Sequence, residues 1–351
     1  MKKPTSFQQQ AISRKKNIYP VKPALMDYLR EHQRAISLPV TYKDLRHFSG
    51  AVPVRDKKGK DTLWEAAMYP QSEIGHIHAA LKSIYAILKT GGDTSVHKHL
   101  LVDRIDYCTF GNSNPFRVRI VNDLNDNYDY FYIKQADASR IYGLELEHIL
   151  SPSRIHYYVN EQTLVEEHIA GIPGDQFLAY HLSNAEFNKV RIAKEFVKFN
   201  ERCLVRLLGD MRSYNYVFDI TPDFEEVQFR IRAIDFDQQS YEGKRTLYQP
   251  QFFKENLALV QLTLQLLTKE TIQQYQKEER TMIARRSISS HHRLSQLLEV
   301  MRADNVSQPD KIMQLAQELG SYYATDNFKP CASMGDIVNV SLRQLTDSLL
   351  G

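Results

Sequence analysis

The stretch Leu208-Gly-Asp-Met-Arg-Ser-Tyr-Asn215, followed by Tyr216-Val-Phe218 and later by Ile234-Asp-Phe-Asp237, decides how the rest of the chain is read. Asp210 and Asn215 stand five residues apart in a polar loop. A long helical pattern, Ala185–Leu207, precedes that loop, and a short strand, Tyr216–Asp219, follows it. An aspartate so placed can accept a hydroxyl proton, and an asparagine can offer a neutral oxygen to a divalent cation. Asp235, at the end of the next strand, Glu226–Ile234, is a second hard oxygen donor. Magnesium needs few protein ligands when phosphate and water complete its shell.

Upstream, the hydrophobic period is two. Leu101–Phe110, Pro115–Asn122 and Asp129–Gln135 read as an antiparallel meander, joined by turns rich in Gly, Asn, Asp and Ser. In the third strand Tyr130, Tyr132 and Lys134 share one face, and Phe131 and Ile133 the other. A helix over Ala136–Leu150 follows, then two strands, Ile155–Asn160 and Thr163–Ile169. A lysine half-buried at a strand end needs a carboxylate or phosphate partner. The helix offers Glu145 and Glu147; Glu145 shares a face with Ile141, Tyr142, His148 and Ile149 and is the one expected to point inward. Beyond Gly171-Ile-Pro-Gly174 the chain reads as mostly helical, with one inserted hairpin.

Lys134 on the third strand, Glu145 (or Glu147) on the helix, Gly209-Asp210…Asn215 and Asp235 in Ile-Asp-Phe together resemble the protein-kinase-like superfamily. The pattern is closest to its aminoglycoside and choline phosphotransferase branch, and the resemblance covers about residues 100–260. It implies an α+β, two-lobed protein-kinase-like fold: a five-stranded antiparallel N-lobe with one helix (96–170) and a mainly helical C-lobe (171–351). Residues 1–95 would be an N-terminal, mostly helical extension, in which Gln71–Leu88 is the strongest helix and the charged segment Val52–Leu63 a loop.

The resemblance also assigns roles. Lys134 would bind nucleotide phosphates and pair with Glu145; Gly111 and Ser113, in the turn Phe110–Pro115, would cover the nucleotide; Glu167, His168 and Ile169 would meet adenine through their backbone. Asp210 would be the catalytic base and Arg212 would face the transferred phosphate. Asn215 and Asp235 would hold Mg2+, with Asp237 as a further ligand or a turn residue. The implied activity is ATP- and Mg2+-dependent transfer of the γ-phosphoryl group to a hydroxyl. A small-molecule acceptor, or an unusual polymer, is favoured over a regulated protein-kinase cascade because Gln238–Tyr248 is too short for a long activation segment. The alternative is a catalytically silent kinase-like module that binds a nucleotide or a partner. Leu208 where a histidine is usual, a single glycine in the covering turn and Asp237 in place of glycine speak for it. Nucleotidyl transfer through a reversed nucleotide pose is a third option.

Composition narrows the classes. The 351 residues are 42% hydrophobic and 25% charged, which excludes a mainly disordered chain or a fibre. No apolar run reaches the length of a membrane span, and no secretory leader is recognisable, so a cytoplasmic protein is expected. The net charge of +3 is too small to argue for nucleic acid, although residues 1–30 hold seven Lys/Arg against one acid. Cys108, Cys203 and Cys331 are odd in number and far apart, and fit free thiols; Cys203 reads as core. His76, His78, His97 and His99 read as ordinary polar residues rather than metal ligands.

Overall fold

The computed structural model describes residues 16–56, 58–92, 98–109, 112–223 and 227–350. The basic residues before Lys16, as well as Lys57, His97 and Gly111, therefore lie outside the described residues.

The chain starts with helices α1 (Pro23–Glu31) and α2 (Tyr42–Leu45), strands β1 (Gly50–Arg55) and β2 (Asp61–Met68), and helix α3 (Gln71–Thr90). Strands β3 (Leu100–Cys108), β4 (Phe116–Asn122) and β5 (Tyr128–Gln135) follow, then helix α4 (Ala138–Leu150) and strands β6 (Tyr157–Asn160) and β7 (Thr163–Glu167). These seven strands form one sheet in the order β1-β2-β3-β4-β5-β7-β6, with every pairing antiparallel.

Five strands are expected here from the sequence, with a loop at Val52–Leu63. The structure instead has a hairpin there, and it lengthens the sheet to seven strands. Lys58 and Lys60 lie in its turn, where Asp56 caps the backbone N–H groups of both. Charge in that segment marked the turn and masked the alternation of the flanking strands.

One sheet face is apolar. Ile105, Phe116, Val118, Ile120, Phe131, Ile133 and Val165 pack under Ile77, Leu81, Ile84 and Leu88 of α3. These α3 positions recur every three to four residues, which builds the stripe that covers the sheet. Alternation then forces Tyr130, Tyr132 and Lys134 of β5, and Leu164 and Glu166 of β7, to the opposite face.

The second half adds the short strand β8 (Ile172–Pro173), helix α5 (Gly174–Gln176), helix α6 (Lys189–Arg206) and the hairpin β9 (Tyr216–Pro222)–β10 (Val227–Ala233). Five helices complete it: α7 (Leu257–Leu266), α8 (Lys269–Ser289), α9 (His291–Ala303), α10 (Pro309–Tyr323) and α11 (Met334–Leu350). β8, β9 and β10 make a separate three-stranded sheet. The molecule is thus a mixed α/β protein with a large antiparallel sheet and a helical second half.

A larger core joins α4, α6 and the C-terminal helices, and it includes Leu25, Tyr28 and Leu29 of α1. The first helix is built into the body of the protein. Cys203 is fully buried on α6, and burial pushes its thiol up to about 12, which makes it packing rather than a nucleophile. Among the described residues no helix is long and apolar enough to cross a membrane.

Candidate active site

Helix α4 begins at Asp137, whose carboxylate accepts the backbone N–H of Ser139. Its first two turns carry small residues toward the loop after β10. Ser139 Oγ donates to the Gln239 carbonyl at 2.7 Å, and a Cβ on Gly143 would stand 3.1 Å from the Cβ atoms of both Phe236 and Gln239. That close approach delivers Arg140 to Asp235 and Asp237.

Arg140 is 1% exposed and spends its guanidinium on three carboxylates. Nη1 lies 2.9 Å from Asp235 Oδ1 and 2.7 Å from Asp237 Oδ1. Nη2 donates to Glu166 Oε2 at 2.7 Å, and Nε donates to Glu166 Oε1. Lys134 Nζ donates to the same Glu166 Oε2 at 2.8 Å. The structure therefore gathers Lys134, Arg140, Glu166, Asp235 and Asp237 into one cluster.

Electrostatics follow from that geometry. Burial lowers the Lys134 pKa and Arg140 lowers it further, while Glu166 and Asp237 oppose the shift. Burial works against the Arg140 charge, but Glu166, Asp237 and Asp235 outweigh it and hold the guanidinium firmly protonated. Asp235 is raised by burial and by Asp237. Asp237 is lowered, because Arg140 and Lys134 outweigh its burial. Lys16, 2.9 Å from Asp137, adds a smaller pull on Asp237.

Glu166 titrates at about 2, since Arg140 and Lys134 outweigh its burial. Its folded value lies below the ordinary glutamate value of about 4.3, so the unfolded chain binds the extra proton. The pair's stabilisation is complete above about pH 4.5 and is lost as pH falls toward 2. Glu166→Gln should destabilise the protein by about 3 kcal/mol near neutral pH. The difference from wild type should shrink as the pH is lowered, read by chemical denaturation between pH 6 and pH 3.

The loop after α6 starts with Leu207 in the left-handed region (φ 55°), and Asp210 is left-handed too (φ 57°). A non-glycine residue there stores strain that its surroundings must hold. Arg212 N–H and Asn215 Nδ2 both donate to the Asp210 carbonyl, at 2.8 and 2.7 Å, and Asp210 N–H donates to the Leu247 carbonyl. Burial pushes the Asp210 carboxyl up, against the pull of Arg212. Arg212 divides its charge between Asp210 Oδ1 (2.7 Å) and Glu255 (3.0 Å). Asn215 is joined to the other half of the cluster through the backbone: its carbonyl accepts the Ile234 N–H, next to Asp235. Gly174 backs the same loop, where a Cβ would come within 2.3 Å of the Ser213 carbonyl.

One expectation differs from the observed contacts. Lys134 pairs with Glu166, not with Glu145. Five residues of helix rotate Glu145 about 140° from Arg140, so it points away from the sheet. Glu145 is fully buried among Tyr28 Oη (2.8 Å), Tyr157 Oη (2.5 Å) and Arg293 Nε (2.5 Å). Glu147 binds Arg206. The turn carrying Ser113 is tied to α2, where Tyr42 Oη donates to the Asn114 carbonyl at 3.1 Å. Glu167 N–H is engaged by the His156 carbonyl, and His168 Nδ1 lies 3.3 Å from Tyr132 Oη; Ile169 is buried.

Arg140 and Glu166 were missed. The available signal was Glu166, a charged residue directly after the apolar pair Leu164-Val165 of an expected strand, with an arginine early in the neighbouring helix.

No protein-family model matches the chain, and no match to it was found among the curated proteins. Among solved structures, the autoinhibited serine kinase domain of the giant muscle protein titin is similar over 70% of this chain and 93% of that one. The identity is 12% and the TM-score 0.27, a likeness that fixes neither activity nor ligand here.

Proposed function

We propose that the protein is a phosphotransferase of kinase-like build that moves the γ-phosphoryl group of ATP to a hydroxyl, with a small molecule as acceptor. The observation that carries this reading is the single cluster of Lys134, Asp235 and Asp237, linked through Ile234 and Asn215 to the loop of Asp210. The large antiparallel sheet, with α4 between β5 and β6 in the chain, and the helical second half support a kinase-like build.

In this reading Asp210 orients the acceptor hydroxyl and takes its proton, and a carboxyl raised by burial is the better base. Lys134 turns from Glu166 toward the phosphates. Arg212 keeps Asp210 in place. Asp235 and Asp237 fit a hard cation: their Oδ1 atoms converge on one point, where a positively charged nitrogen of Arg140 already stands. Asn215 spends its amide nitrogen on Asp210 and would turn its carbonyl oxygen to the same ion. Two carboxylates and one amide oxygen are enough for Mg2+ when phosphate and water complete its shell. Bound Mg2+ would neutralise charge on the transferring phosphate.

The test is nucleotide binding by calorimetry together with transfer to a panel of hydroxyl acceptors. Asp235→Asn should weaken ATP binding at least about tenfold in Mg2+ and leave binding in EDTA unchanged. Equal affinities in Mg2+ would remove Asp235 from the metal site. The second reading, a silent nucleotide-binding module, is favoured by one contact: Arg140 occupies the two carboxylates a cation would need. Binding with no transfer to any acceptor would select it.

A further inference from the structure

We infer that Arg140 is a built-in competitor of the divalent cation: its Nη1 holds Asp235 and Asp237 in the ligand-free protein and must leave them when the metal enters. This inference rests on the assignment of those two carboxylates as metal ligands.

The geometry sets Arg140 apart from an ordinary structural arginine. Its guanidinium is split between two functions. Nε and Nη2 grip Glu166 side by side, an arrangement that holds the guanidinium whether or not anything else is bound. Nη1 alone faces Asp235 and Asp237, at 2.9 and 2.7 Å. The Asp235 side chain is 35% exposed and that of Asp237 13%, whereas that of Arg140 is 2% exposed, so a cation would approach past Asp235 while Arg140 is seated from behind.

The local charge points the same way. Two cations, Lys134 and Arg140, face three carboxylates, Glu166, Asp235 and Asp237. Every positive charge is consumed, and the cluster keeps a negative excess that favours a cation and disfavours a naked polyphosphate. Entry of a divalent cation relieves the Asp235–Asp237 repulsion and releases Nη1, which remains anchored through Glu166 and becomes a donor for a phosphate oxygen. Because the guanidinium stays on Glu166, entry of the cation takes these five side chains from a net charge of −1 to +1, which an incoming phosphate offsets.

The experiment is Mn2+ binding to the full chain without nucleotide, read from the electron paramagnetic signal of free Mn2+. Arg140→Met should bind Mn2+ about tenfold or more tightly than wild type, because a positive charge a few ångströms from the ion is gone. Adding Asp235→Asn to that variant should abolish the gain. Arg140→Lys, which can still pair with Glu166 but lacks the forked third nitrogen, is the second variant should the first fail to fold, and it too should bind Mn2+ more tightly. In Arg140→Ala, millimolar N-ethylguanidinium should displace Mn2+. Equal, measurable Mn2+ affinity in wild type and both variants would overturn the competition and leave the metal assignment standing. No Mn2+ binding to any of these proteins, with ATP or without, would overturn the assignment and the inference together.

Discussion

Asp210→Asn is expected to lower phosphoryl transfer by about 10²- to 10⁴-fold while leaving nucleotide affinity nearly unchanged. Asparagine is the informative replacement because residue 210 has φ 57°, a conformation asparagine tolerates and alanine resists. The substitution removes the base without adding backbone strain. The Asp210 carbonyl, which accepts from Arg212 and Asn215, is kept, so the loop should stay in place. Arg212 retains Glu255 as a partner. Because burial raises the Asp210 carboxyl, the acid limb of the wild-type rate profile should lie above the ordinary aspartate range near about 3.9. Single-turnover transfer measured beside calorimetric binding separates the two effects. Full turnover by the variant would reject Asp210 as the base.

Glu145→Gln should instead strike stability. Its carboxylate is fully buried and faces Arg293 and, at 3.8 Å, Arg34, while two tyrosine hydroxyls donate to it. Burial opposes its ionisation, but Arg293, Tyr157 and Arg34 outweigh that and hold it charged. Glutamine keeps the volume but removes the charge partner of buried Arg34 and of partly buried Arg293, a loss of about 3 kcal/mol. The denaturation midpoint should fall markedly and nucleotide affinity should not. The reverse outcome, normal stability with nucleotide binding lost, would return Glu145 to Lys134.

These two residues show how far the sequence could be read. Arg212 and Asn215, which hold the Asp210 backbone, are also near it in sequence and were legible from spacing, whereas Leu247 and Glu255, which close the loop from the segment beyond β10, were not. The alternation of β5 likewise told which face Lys134 would take. The partner of Lys134 was not legible, because it depends on the rotational phase of α4. Asp137 and the close packing of Gly143 on Phe236 set that phase. Glu145 and Arg140 both lie on α4, and only tertiary packing decides which of them meets the sheet. The hairpin β1–β2 escaped for a different reason. Its strands are half-buried at a sheet edge, and their mixed polarity reads as loop until β3 is present to pair with β2.

The placement of Tyr28 has a practical consequence for anyone dissecting the molecule. Its hydroxyl ends on Glu145, while Leu25 and Leu29 fill the same interior and α3 roofs the sheet. A fragment cut just before β3 would lose both, baring a wide greasy surface and a buried acid with one fewer donor. Such a truncated species should come out of cells as insoluble material, and its failure to turn over any substrate would say nothing about the chemistry of the intact polypeptide.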